Sequence, residues 1–151
     1  MAASLYFKDR RQSVACEGLE IEVVDSLDKH FVDEKDILDL LTKNNLNPKD
    51  KPIDQVNTHK IEELLLNNEM IADVEAYKTP SGLVKLEIEQ KIPIMRVMST
   101  SGNYYIDNNG KSMPISRRYV ANVPFVSGYV EKEAMLTDLF KFALFLQNNK
   151  F

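Results

Sequence analysis

Ile71-Ala-Asp-Val-Glu-Ala-Tyr-Lys-Thr-Pro-Ser-Gly-Leu-Val-Lys-Leu-Glu-Ile-Glu-Gln90 decides the fold of this chain. Strand signals run over Ile71–Tyr77. Lys78-Thr-Pro-Ser-Gly82 reads as a turn, because Pro presets φ near −65° and Gly accepts φ > 0. Leu83–Gln90 then alternates strictly. Val84, Leu86 and Ile88 share one side, and Lys85, Glu87 and Glu89 the other. Period-two alternation is the mark of a half-buried strand, so the stretch predicts a β-hairpin with an apolar inner face.

Upstream of the hairpin, Gly18–Val24 repeats the alternation. Leu19, Ile21 and Val23 oppose Glu20 and Glu22, which predicts another half-buried strand. Asp33 suits a helix N-cap, with Asp36 at the third helical position where the dipole favours a carboxylate. Ile37, Leu40 and Leu41 follow at i, i+3, i+4. Asn44-Asn45 and Pro48 stop this helix, and Asn45–Val56 reads as a loop. Asn57 or Thr58 caps a second helix with Ile61, Leu64 and Leu65 inward, ended by Asn67-Asn68. The order strand, helix, helix, strand, strand is not the βαβ alternation of a nucleotide-binding fold. Leu19, Ile21, Ile37, Leu41, Ile61, Leu65, Val84, Leu86 and Ile88 are expected to share one core.

Downstream, Pro93 interrupts the pattern. Ile94–Met98 and Asn103–Asp107 predict two further strands around Ser99–Gly102, and Asp107-Asn-Asn-Gly110 is a strong turn. A loop carrying Arg117 and Arg118 leads to Val123–Val126, and Glu131–Lys150 is expected to be a helix. Over Leu139–Leu146 only Lys141 is polar, so that helix is apolar on both sides. The class is α+β. Residues 1–16 read as a polar lead-in with Lys8, Arg10 and Arg11.

Composition narrows the functions. The chain has 151 residues, 44% apolar and 28% charged, which is ordinary for a globular chain and argues against disorder. Net charge is −4, so there is no global field for nucleic acid. No apolar run approaches the ~20 residues of a membrane span, and the start lacks the apolar region of a signal peptide. Composition alone fits a cytosolic protein or a soluble piece of a longer chain. Charge is uneven. Residues 17–40 hold nine acidic and two basic residues, and residues 85–118 hold six basic and three acidic. These stretches are either solvated faces or an acidic face that meets a basic partner.

Reactive chemistry is hard to assemble from this inventory. Cys16 stands alone beside Glu17, where the local charge does not favour a thiolate. His30 and His59 are isolated, and neither is read as having a second metal ligand one turn on. Ser101-Gly102 and Ser127-Gly128 lack the nucleophile-elbow pattern. Asp33, Glu34, Asp36 and Asp39 crowd a helix start and read as caps rather than a catalytic carboxylate pair. No catalysis, no metal and no cofactor are expected.

A family resemblance adds to this reading. Asn57-Thr-His-Lys-Ile-Glu-Glu-Leu-Leu, Ile71-Ala-Asp-Val-Glu-Ala-Tyr-Lys-Thr-Pro-Ser-Gly and Ile88-Glu-Gln-Lys-Ile-Pro-Ile-Met-Arg-Val resemble the FtsQ/DivIB cell-division proteins. Tyr104-Tyr-Ile-Asp-Asn-Asn-Gly-Lys-Ser-Met-Pro114 and Val123-Pro-Phe-Val-Ser-Gly128 continue the likeness, which covers residues 17–151. The resemblance implies a POTRA domain over residues 17–91, then the N-terminal part of a β-domain over residues 92–151, with the later strands beyond Phe151. It implies a single-pass inner-membrane protein with this region in the periplasm, concentrated at the septum, its anchor outside this sequence.

The same resemblance implies a non-enzymatic scaffold. Its partners would be an FtsB/FtsL-like pair and the septal synthase complex, the pair being held mainly by the later strands. The family recruits other division proteins through the strand after the second helix, which here offers Asp73, Ala76 and Lys78. Only the lysine keeps a family-like residue type. The alternative is a POTRA-like module of outer-membrane assembly or secretion, which holds substrate strands by sheet-edge addition. The apolar helix starting near Glu131 is further expected to make the chain self-associate.

Overall fold

The computed structural model describes residues 14–24, 31–100, 102–128 and 138–149. Lys8, Arg10, Arg11, His30, Ser101, Glu131, Met135 and Leu136 lie outside the described residues. The first half runs β1 (Gly18–Val24), α1 (Glu34–Lys43), α2 (Thr58–Leu66), β2 (Ile71–Lys78) and β3 (Leu83–Gln90). This is the strand-helix-helix-strand-strand order read from the pattern. The three strands form a sheet ordered β1-β3-β2, with β1 parallel and β2 antiparallel to β3.

Local chemistry fixes these elements where the pattern places them. Asp33 caps α1 by accepting from the Asp36 N–H at 2.9 Å, and the Asp36 carboxylate accepts the Asp33 N–H in return at 3.1 Å. That reciprocal box satisfies two donors a helix start leaves orphaned. Asn57 caps α2 by accepting from Lys60 N–H at 3.0 Å. After α1, Asn45 takes φ of 57°, the left-handed conformation asparagine tolerates at a helix end. The loop Asn45–Val56 contains a short 3-10 turn, Ile53–Gln55, that the pattern does not announce.

Seven of the nine expected core residues are buried together: Ile37, Leu41, Ile61, Leu65, Val84, Leu86 and Ile88. Leu19 and Ile21 pack against them half-buried, since β1 is an edge strand. β2 departs from simple alternation. A register shift between Ile71 and Asp73 changes its phase, so Ile71, Val74 and Ala76 are the buried positions.

The second half is a four-stranded sheet ordered β6-β5-β4-β7. Its strands are β4 (Pro93–Ser99), β5 (Gly102–Asp107), β6 (Ser112–Pro114) and β7 (Phe125–Ser127). Pro93 does not stop pairing. It opens β4 at a register shift, a position that needs no ladder N–H. The Asp107 turn is built by its buried carboxylate, which accepts the N–H groups of Asn109 and Lys111 at 2.9 and 2.7 Å. β6 lies where the sequence reads as loop, because three residues are too few for a period. α3 (Phe140–Asn148) is the described part of the helix expected from Glu131. Ala143 is buried on the sheet, with Leu139, Phe140 and Leu144 beside Ile94, Met95, Val97 and Ile106.

The two halves are not separate in the core. Tyr105, Met113 and Ala121 belong to the same buried cluster as α1, α2 and the first sheet. Phe31 packs edge-on against Tyr119 with ring centres 4.9 Å apart and against Tyr105 at 6.3 Å. Tyr105 is fully buried, and its hydroxyl accepts the Ala121 N–H at 3.2 Å. The side-chain amide oxygen Oε1 of the buried Gln90 accepts the Val32 N–H at 2.9 Å.

Candidate functional site

The strand expected to carry the partner surface is β2, an edge of the first sheet. The structure does not bring Asp73, Ala76 and Lys78 onto one face. Asp73 is exposed and pairs in register with Glu89 on the outer face, away from the helices. Ala76 is buried and turned toward the core. What Ala76 offers at the edge is its backbone N–H, which donates to Glu62 Oε1 on α2 at 2.9 Å. Lys78 is exposed at the end of the strand, with its Nζ 3.5 Å from the Asp54 carbonyl.

The outer face beside Asp73 is strongly acidic. Register sets Glu75 opposite Glu87, and Glu87 opposite Glu22. Like charges opposite one another destabilise a sheet. Lys85 offsets part of this, with Nζ 3.3 Å from Glu22 and 3.8 Å from both Glu20 and Glu87. The bond to Glu22, and charge on Tyr77 and Glu20, push the Lys85 ammonium above the ordinary lysine range. Tyr77 donates its hydroxyl to Glu87 at 2.7 Å, and that bond, with burial and the Glu87 charge, raises the phenol too.

The acidic start of α1 also meets a basic residue of its own chain. Arg118 Nη1 lies 2.6 Å from Asp33 Oδ2 and 2.6 Å from Asp36 Oδ2, and Nη2 lies 3.0 Å from Asp36 Oδ1. The Asp36 N–H lowers the Asp33 carboxyl, against a smaller push upward from desolvation, and the Arg118 charge adds a lesser pull downward. Arg118 was readable only as a charge in a loop. The opposed charges of residues 17–40 and 85–118 were the signal that could have paired them. No periodic signal marks Glu62, whose partner lies fourteen residues away.

The remaining sequence candidates lie as follows. Cys16 is buried, and its thiol donates to the Gly18 carbonyl at 3.2 Å. His59 does have carboxylates at i+3 and i+4, contrary to the expectation from spacing. Its Nδ1 is 3.6 Å from Glu62 and its Nε2 3.4 Å from Glu63. The ring is 77% exposed, and no metal-holding group of His, Cys, Asp and Glu forms among the described residues. On α3, Phe142 and Phe145 remain 57% and 56% exposed on the side away from the sheet. No helix among the described residues is long and apolar enough to cross a membrane.

No curated protein matches the chain. Family models do match, in tandem. Residues 14–89 match the POTRA-like domain, which is half of the chain, and residues 92–151 match the domain described as FtsQ/DivIB, C-terminal related. A three-stranded β1-β3-β2 sheet under two helices, followed by a second sheet, is thus matched along both halves, and the chain belongs to the FtsQ/DivIB family.

Proposed function

We propose that this chain is a non-enzymatic scaffold of the bacterial cell-division machinery. It links division proteins by protein–protein binding on the outer side of the inner membrane, with a membrane anchor in the full-length protein. The observation that carries this reading is the tandem match of a POTRA-like domain and an FtsQ/DivIB C-terminal related domain in one chain. Residues 17–91 are the POTRA domain in this reading, and residues 92–151 belong to the β-domain. The partners are an FtsB/FtsL-like pair and the septal synthase complex.

β2 and the turn after it form part of the partner surface. Two exposed charges support that assignment, Asp73 on the outer face and Lys78 at the strand end. Ala76 sits between them with its methyl group buried and its N–H held by Glu62, so it sets the strand's position rather than meeting a partner itself. Among the described residues, Lys78→Glu reverses a charge whose contact is a long one, 3.5 Å to the Asp54 carbonyl. Recruitment of the tagged full-length protein to the septum is expected to weaken while its thermal midpoint stays unchanged. Normal septal localisation of that variant rejects the surface. A second contact of the same kind is self-association through α3, whose Phe142 and Phe145 face outward.

A further inference from the structure

Successive N–H groups along a paired strand point alternately toward the partner and away from it. On an edge strand the outward row is a template for another chain. β2 has such an edge, because among the described residues the order β1-β3-β2 leaves one side without a strand. Two N–H groups in the middle of that outward row are already taken. Val74 donates to the carboxylate of its neighbour Asp73 at 2.9 Å. Ala76 donates to Glu62 Oε1 at 2.9 Å.

The second bond is not local. Glu62 stands on α2 and reaches across to the strand edge, with its side chain only 26% exposed. His59 lies 3.6 Å from the other carboxylate oxygen. An added strand would have to place a carbonyl oxygen on the Ala76 N–H, and the carboxylate already sits there. The register shift between Ile71 and Asp73 twists the same edge out of regular pairing.

We propose that Glu62 is a guard that closes the free edge of β2 against strand pairing with a second copy of this chain. The excluded pairing is the antiparallel one centred on Glu75. It would set Val74 against Ala76 on the inner face and is self-complementary about a two-fold axis. The consequence is that partners meet β2 through its side chains and not by extending its sheet. The inference concerns the edge alone and does not rest on a role in division.

The test uses Glu62→Ala, which removes the acceptor, and Glu62→Gln, which keeps an acceptor oxygen and the side-chain volume. Both are made in a Phe142→Glu background, so that α3 does not report association. At low concentration, where the chain is still monomeric, hydrogen exchange at the Ala76 amide is expected to accelerate by about tenfold or more in Glu62→Ala, the size set by losing one charge-assisted bond. A concentration-dependent dimer is expected in the same variant by sedimentation. Glu62→Gln stays monomeric with slow exchange. Adding Ala76→Pro to Glu62→Ala deletes an outward N–H at an edge position, where proline is tolerated, and restores the monomer. The proposal is overturned by unchanged Ala76 exchange in Glu62→Ala, by a monomeric Glu62→Ala chain, or by a dimer that survives Ala76→Pro.

Discussion

The two sheets of this protein are closed by opposite means. The three-stranded sheet has one apolar face, covered by α1 and α2, and one face of charges left to solvent. The four-stranded sheet has residues packed on both faces. Val97, Ile106 and Val126 meet α3 on one face, and Tyr105 on the other joins the core of the first sheet. A sheet with a polar face writes its burial into strict alternation. A sheet covered twice does not, because both parities are apolar.

The difference makes Tyr105 the residue that ties the halves together. It is fully buried, touches Phe31 edge-on, accepts the Ala121 N–H, and carries the Arg96 guanidinium 5.9 Å from its ring centre. Tyr105→Ala should cost about 3–5 kcal/mol, as large aromatic truncations do. Amide exchange at Leu86 and Ile88 should rise with it if both halves share one core. Unchanged exchange in the first sheet would show that its core stands alone.

Leu86→Ala tests the other side of the comparison. Leu86 is fully buried beneath both helices, and its loss should cost roughly 2–5 kcal/mol by denaturant unfolding. A cost under about 0.5 kcal/mol, the scale of an ordinary surface change, would mean that the inward face of β3 is not what holds α1 and α2.

These two residues also mark what the sequence discloses. Leu86 is legible because its environment is set within its own strand by Lys85 and Glu87 on either side. The Asp33 cap, the Asn57 cap and the turn at Asp107 are legible for the same reason, since their partners lie within four residues. Tyr105 follows another tyrosine, and nothing local says which of the two meets α3 and which meets the first core. Glu62 on Ala76 and Arg118 on Asp33 join residues 14 and 85 apart, beyond any periodic signal. The strand that carries the candidate surface was therefore readable, and the guard on its edge was not.

Arg118 is the polar counterpart of Tyr105, and its effect should be smaller. The pair is about half exposed, 49% for Arg118 and 52% for Asp33, so solvent screens it. Arg118→Gln should cost little, and less still in high salt. Acid sharpens the point. The folded Asp33 carboxyl lies below its unfolded value of about 3.9. Its contribution is complete above that value and lost as pH falls through the lower, folded one. Arg118→Gln should flatten this acid loss without removing it, because the first cause of the shift, the Asp36 N–H, remains. An unchanged acid limb in thermal unfolding would show that the arginine does not stabilise the charged cap.

Phe142→Glu should change stability least and association most. α3 spends its inward side, Ala143 with Leu139, Phe140 and Leu144, on the second sheet. A helix on a small domain needs only one such stripe. Phe142 and Phe145 lie on the other side, more than half exposed, and Leu146 adds to the apolar run there. Substituting an exposed phenylalanine removes no internal contact of the sheet, so unfolding should shift by no more than about 0.5 kcal/mol. Burying that aromatic face against another surface is favourable by about 1.5–3 kcal/mol for each large side chain. The chain should therefore scatter light as a dimer or larger species, and Phe142→Glu or Phe145→Glu should return it to monomer. A chain that is already monomeric at high concentration would mean that the outward face of α3 does not pair with a second copy. A large loss of stability in Phe142→Glu would mean that this face is already packed within the chain. In that case the second sheet would be covered by one layer more than the comparison allows.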